Sequence, residues 1–369
     1  MKNRVLYVGS FDPFTLGHYD VYLRACSIFG KENVDVGVGK SGSKTAMFSQ
    51  GEKAKIIHSY GVDYSNIVNP FGLTVDFAVM NGYTHIVKGI RNFADFDYEL
   101  AQFEVGLAIQ NKIDTLLLPS NPKTANVSSS IVKELVKNGG IVTDYVNLFT
   151  KQYLELKNKR LLIGVTGGIA CGKSTMCHNL TQFETHDVQI TTIDFDMIAK
   201  RLFDGNTSLS NSFLSDVSRE FGTINRKELG VLLFKDKSKL DRYNSLIRNP
   251  MLTELRLALS KLTGVVLIEG ALLVEFNMTD IVNDEIIFVD QPDDKIIMDR
   301  LYERRMTTQS AKDRLSAQLK TCEKKELFHD IIKRRAFKKN YMKFDDKPTA
   351  TEIGRFIISE YNRIIVDVC

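Results

Sequence analysis

The stretch Gly167-Gly168-Ile169-Ala170-Cys171-Gly172-Lys173-Ser174-Thr175 fits the spacing G-x-x-x-x-G-K-[ST] and directly follows the apolar run 161–165. A strand, a glycine loop and a helix in that order make a phosphate cradle, because successive backbone N–H groups converge on an anion at a helix start. In that cradle Lys173 neutralises the oxygens around the transferred phosphoryl group, and the Ser174 hydroxyl is a magnesium ligand. A nucleoside triphosphate is the expected ligand. Farther along, Asp194-Phe195-Asp196 closes a β-rich run with two carboxylates. One can accept a hydroxyl proton while the other reaches magnesium through water; we take Asp194 as the base and read Asp196 alternatively as a helix cap. Arg300 and Arg304 sit one helical turn apart, placed either to close over phosphates or to form surface ion pairs.

The first half carries different chemistry. Gly9-Ser10-Phe11-Asp12-Pro13-Phe14-Thr15-Leu16-Gly17-His18 leads from an apolar run into a helical pattern. Such a turn delivers His18, a hydrogen-bond donor, to a helix N-terminus whose free amides attract phosphate. Lys88-Gly89-Ile90-Arg91 then presents two cations around a glycine, and Ser128-Ser129-Ser130 places three hydroxyls at another helix start. Each group has an ordinary reading as a solvated loop or a cap. Three phosphate-friendly elements at the C-terminal ends of strands read together as a ligand edge.

These residues need elements to hold them. Short β-rich runs at 5–8, 34–38, 85–87 and 115–118 alternate with helical segments, among them 19–29, 98–111 and 131–137, which predicts a parallel sheet covered on both faces. The pattern resumes at 161–165, 189–193, 265–268 and 285–289, with a helical insertion between 208 and 259. The result is an α/β protein of two domains, 1–155 and 161–369. The boundary falls at the charged stretch 156–160, read as a linker.

Over the 369 residues 43% are hydrophobic and 25% charged; 18 basic residues face 15 acidic ones up to Arg160, and 31 face 30 after it. That balance predicts no nucleic-acid partner, and no apolar run approaches the roughly 20 residues of a membrane span. The apolar start reads as a first strand and not as a signal peptide. Cys26, Cys171, Cys177, Cys322 and Cys369 form no C-x-x-C pair, which fits reduced thiols in the cytoplasm. An alkylating reagent at Cys171 is expected to block the glycine loop by bulk, with bound nucleotide protecting.

The first-half motifs, with Asp95-Phe96-Asp97-Tyr98-Glu99 and the serine block, resemble bacterial phosphopantetheine adenylyltransferases over about residues 1–155. The resemblance implies a Rossmann-like nucleotidyltransferase sheet that adenylylates 4′-phosphopantetheine with ATP, releasing pyrophosphate and giving dephospho-coenzyme A. It implies that His18 stabilises charge on the α-phosphate and that Ser10, Lys44, Thr74 and Lys88 hold the substrate. ATP would lie against Ser10, Phe11, His18, Gly89, Ile90, Arg91, Glu99, Ser128, Ser129 and Ser130. It also implies a homo-oligomer through the N-terminal domain. Lysine stands at 88 where the family has arginine, and serine at 10 where it has threonine.

From Gly167 to the arginine helix the chain resembles dephospho-coenzyme A kinase, with the resemblance weakening after Gln318. This implies a nucleoside monophosphate kinase-like P-loop domain. ATP and magnesium would sit on Gly167, Gly168, Ala170, Cys171, Gly172, Lys173, Ser174, Thr175, Arg300 and Arg304, and the reaction would phosphorylate the ribose 3′-hydroxyl. The family has proline where this chain has Ala271, and histidine where it has Asn249. Together the halves imply the last two steps of coenzyme A synthesis. An alternative retains the adenylyltransferase and makes the second half a catalytically weak, regulatory nucleotide-binding domain. A cytidylyl- or nicotinate mononucleotide adenylyltransferase shares only the T-x-G-H element. A permuted GTPase, suggested by Asn111-Lys112-Ile113-Asp114, lacks the D-x-x-G that such a site requires after Lys173.

Overall fold

The computed structural model describes residues 4–39, 45–110, 112–122, 128–183, 188–337 and 349–368. In the first half, β1 (Val5–Gly9), α1 (Leu16–Phe29), β2 (Val34–Val38), α2 (Gln50–His58), β3 (Ile67–Val68), α3 (Thr74–Met80), β4 (His85–Ile90), α4 (Phe93–Ile109), β5 (Asp114–Pro119) and α5 (Ser129–Lys137) alternate as the pattern predicts. The strands form one parallel sheet in the order β3-β2-β1-β4-β5. Strand order reverses between β1 and β4, so the loops after these two strands frame a crevice. A helix α6 (Leu148–Lys157) then leads into the second half.

There β6 (Arg160–Gly167), α7 (Lys173–Thr181), β7 (Ile190–Asp194) and α8 (Phe195–Arg201) precede the helical insertion α9 (Ser208–Phe221), α10 (Arg226–Lys235) and α11 (Lys237–Leu259). After it come β8 (Gly264–Glu269), β9 (Ile286–Val289), α12 (Asp294–Glu303), α13 (Thr308–Ala317), α14 (Thr321–Lys333) and α15 (Ala350–Val368). The second parallel sheet has the order β7-β8-β6-β9. Every residue of β6 and β8 is buried, as an interior parallel strand with helices on both faces requires.

Residues 156–160, read as a linker, are the last turn of α6, its cap Asn158, Lys159 and the first residue of β6. Within that stretch Lys157 pairs with Glu52 (3.1 Å), Arg160 is buried and Lys159 is exposed, while the preceding turns of α6 carry buried, paired charges. Lys151 Nζ donates to Ile281 O (2.7 Å) and Asn283 Oδ1 (3.0 Å) and lies 2.7 Å from Glu155 Oε1. Asn283 Nδ2 donates in turn to Glu155 Oε2 (2.7 Å), and Gln152 donates to Glu285 Oε1 (3.1 Å). One apolar core runs through this junction, joining Val5, Tyr7 and Val36 of the first half to Leu161, Ile163, Val165 and Ile357 of the second. Helix α6 therefore belongs structurally to both sheets.

Two helix starts also differ from the sequence pattern. Helix α4 begins at Phe93 because Asn92 Oδ1 accepts the Asp95 amide (2.9 Å), earlier than the expected start at Tyr98. Helix α8 is capped by Asp194, whose Oδ1 accepts the Met197 amide (2.8 Å), and not by Asp196.

Candidate active sites

At the first crevice β1 ends in Gly9, where any Cβ would lie 2.6 Å from the Phe11 ring. The missing side chain lets Phe11, itself at φ 43°, fold back under the turn. Thr15 caps α1, and His18 occupies the third helical position, where a Glu or Gln usually completes a capping box. The Thr15 amide donates to His18 Nδ1 (3.0 Å), so the ring proton sits on Nε2, and that N–H is the donor left for a ligand. Packing against Phe11 and Phe14 (centroids 5.2 and 5.5 Å away) desolvates the imidazole. Burial, helped by the Arg91 charge, lowers its pKa to about 4. His18 is thus a neutral, oriented hydrogen-bond donor at neutral pH.

The serine block docks on the same turn. Ser128 caps α5 by accepting the Ile131 amide (3.2 Å), and Ser129 Oγ donates to Pro13 O (2.8 Å). Lys133 meets Asp12 at 2.8 Å, while the Asp12 carboxylate also accepts the Met47 and Phe48 amides (3.0 Å each). Asp12 and Lys133 were given no role from sequence, although the first lies inside the turn motif and the second closes the S-S-S-x-x-K block.

On β4 and α4 the expected ligand residues engage each other. Lys88 pairs with Glu99 (3.1 Å), and the Arg91 fork clasps Asp95 through Nε (2.7 Å) and Nη2 (2.9 Å). Gly89 allows close approach of α1, since a Cβ there would stand 3.1 Å from Val21. Ile90 closes β4. Ser10 and Ser130 are exposed at the crevice, whereas the Phe11 side chain is core, so only its backbone can face a nucleotide. Thr74 opens α3 beyond the edge strand β3, two strands from β1, at a helix start with no side-chain cap. Lys44 lies outside the described residues.

In the second half the glycine loop leaves β6 as expected. Gly167 is obligatory because a Cβ would come within 2.1 Å of Val289 O, and Gly172 takes φ 103° at the cap of α7. Lys173 Nζ turns into the loop, donating to Gly168 O (2.9 Å). Arg300 Nη1 donates to Ala170 O (2.8 Å), which joins α12 to the loop. Arg304 is exposed at the end of α12. The Ser174 hydroxyl donates to Glu269 Oε1 at 2.6 Å, a pairing the sequence reading did not assign. Gly168 and Thr175 flank this mouth.

The two carboxylates make different contacts from those expected. Asp194 is committed to capping α8. Asp196 reaches the turn after β8, accepts the Ala271 amide through Oδ2 (3.2 Å) and lies within the field of Lys173. Surrounding protein raises its pKa above the ordinary carboxylate value, against the pull of the Ala271 amide and Lys173, with Asp194 adding to the rise. A carboxylate so tuned beside the phosphate lysine is the better proton acceptor.

Cys171 is 5% exposed, and burial pushes its thiol above the usual range despite Lys173. The expected sensitivity of the loop to alkylation is corrected accordingly, since a buried protonated thiol is a poor nucleophile. Treatment with iodoacetamide at neutral pH is expected to label exposed Cys322 and to leave nucleotide binding at the loop unchanged. Peptide mass mapping that finds Cys171 modified first would contradict this.

Each sheet carries an anion cradle at the C-terminal ends of its strands, which defines a transferase with two phosphate-handling centres. The cytidylyltransferase-like family model matches residues 6–135, and the dephospho-CoA kinase family model matches residues 161–338. The phosphopantetheine adenylyltransferase of Psychromonas ingrahamii is 36% identical over 156 residues, covering 42% of this chain and 96% of that protein. That of Leuconostoc mesenteroides is 39% identical over 158 residues, covering 42% and 94%. Through its first half the chain belongs to the phosphopantetheine adenylyltransferase family, and its second half is a dephospho-CoA kinase domain. The kinase match continues to residue 338, past Gln318 where the motifs cease to be readable.

Proposed function

We propose that the chain catalyses two consecutive reactions. In the first, the phosphate of 4′-phosphopantetheine attacks the α-phosphorus of ATP and pyrophosphate leaves. In the second, the ribose 3′-hydroxyl of the resulting dephospho-coenzyme A attacks the γ-phosphorus of another ATP, and ADP leaves. The observation that carries this reading is the presence in one chain of two cradles of different construction, belonging to families whose product and substrate coincide.

In the first centre the nucleophile is the substrate's own phosphate, so catalysis rests on placement and charge stabilisation. His18 Nε2–H donates to an α-phosphate oxygen as charge builds. Ser10 and Lys88 hold the attacking phosphate with Lys44 and Thr74, and Arg91, Glu99 and the 128–130 serines position ATP. In the second centre Lys173 and Arg300 draw charge off the transferring phosphoryl group, and Asp196 accepts the 3′-hydroxyl proton. Ser174 and Glu269 supply two adjacent oxygen donors, a set that suits magnesium completed by phosphate oxygens and water. Magnesium bound there neutralises phosphate charge.

Incubation with ATP and 4′-phosphopantetheine, followed by mass analysis, tests the proposal. Coenzyme A with pyrophosphate is the expected outcome. Dephospho-coenzyme A alone would favour a regulatory second half, and no pyrophosphate release would remove the first assignment.

Helix α4 supports assembly through the first half. Gly106 is its sole buried residue, and Phe93, Tyr98, Val105 and Ile109 face solvent, with Phe93 88% exposed. A homo-oligomer covering this helix is expected in light scattering, and Val105→Glu is expected to dissociate it. A monomeric wild type would refute that assembly.

A further inference from the structure

Helix α14 follows the arginine helix and lies where motif resemblance has faded, yet it sends a fully buried cation toward the second centre. Lys324 is 0% exposed, and its ammonium donates to Ala271 O (2.5 Å) and to the Glu275 carboxylate. Thr166 Oγ1 of β6, also fully buried, is 3.4 Å from the same carbonyl. The opposite face of that turn donates the Ala271 amide to Asp196. A proline, which the resembled family carries at this position, has no such N–H, so the contact with Asp196 depends on this chain's alanine.

A buried ammonium is costly unless its hydrogen bonds are met, and here they are met by the turn that adjoins the proton acceptor. We propose that Lys324 is a positioning residue for phosphoryl transfer, fixing the 270–275 turn so that the Ala271 peptide holds Asp196 against the glycine loop. The proposal rests on the kinase reading of the second half. Among the described groups, Lys173 and Lys324 are the cations whose charge reaches Asp196, and Asp194 is the opposing carboxylate. Lys324 spends its hydrogen bonds on Ala271 and Glu275, outside the glycine loop, so it acts on orientation of the acceptor and not on nucleotide affinity.

The test uses the full chain with supplied dephospho-coenzyme A and ATP. Lys324→Met retains the apolar stem, and Lys324→Met/Glu275→Gln also removes the carboxylate that would otherwise be left buried and unpaired. In either folded variant kcat for phosphorylation is expected to fall roughly 10- to 100-fold, as misplacement of a proton acceptor does, with KM for ATP within about twofold and pyrophosphate release by the first centre unchanged. Wild-type kcat in a folded variant, or a loss confined to KM for ATP, would overturn the positioning role. Absence of phosphorylation by the wild-type chain would instead overturn the kinase reading on which it rests.

Discussion

His18→Ala is expected to abolish measurable pyrophosphate release, a loss on the order of 10²- to 10³-fold or more, as found when one donor to a developing oxyanion is removed. Phosphorylation of supplied dephospho-coenzyme A should stay near the wild-type rate. The substitution also removes the acceptor for the Thr15 amide, so His18→Gln is the control that keeps the cap. Glutamine at the third helical position can still close the capping box, and it leaves the fold intact without an imidazole N–H at the reacting phosphate. The pH dependence follows from the same geometry. Because the folded protein keeps His18 neutral down to about pH 4, the first activity should show no histidine limb near 6.5. An unfolded chain takes up the proton below its ordinary pKa of about 6.5, so the stability this residue contributes is complete above that value and is lost as the pH falls toward about 4. Nitrogen NMR of the ring at pH 7 should find Nε2 protonated and Nδ1 bare. A protonated Nδ1, or full first-step activity in His18→Ala, would refute the donor role.

The strands were legible because a parallel sheet covered on both faces needs continuous apolar runs, and 5–8 or 161–165 have no other use in a globular chain. The glycine loop and the His18 turn were legible for a related reason: their motif residues lie in one short stretch each, with Gly9 forced by the Phe11 ring two residues on and Gly172 by its φ of 103°. What escaped depended on partners distant in sequence. Asp194 and Asp196 have equivalent local options as caps, and the decision between them is made by Ala271, 75 residues away. Lys151 and Glu155 carried no sequence sign of burial; the 281–285 loop, 130 residues on, encloses them. Ser174 met Glu269 and Arg300 met Ala170 only after β8 and α12 were placed beside the loop. Lys324 carried no motif at all, since a buried lysine and a surface lysine are identical in sequence.

The same distant contact sets the outcome of the second experiment. Asp196→Asn is expected to reduce phosphorylation of dephospho-coenzyme A by about 10²- to 10⁴-fold, the range for loss of a positioned proton acceptor, while adenylylation continues and the intermediate accumulates. Asparagine retains an oxygen for the Ala271 amide, so the turn keeps its anchor and the loss reports chemistry. Asp194→Asn makes the contrast. Asparagine caps a helix about as well as aspartate, so α8 should persist and activity should change little. The order of the two effects discriminates between the carboxylates more cleanly than either loss alone, because both residues stand at one strand end under the same phosphate charge. Equal losses in the two variants would mean that the pair acts as a unit, and a larger loss in Asp194→Asn would return the acceptor role to the cap residue. Lys173→Ala supplies the reference for a dead second centre: it removes the cation facing the transferring group without touching either carboxylate, and dephospho-coenzyme A should then be the sole detectable product.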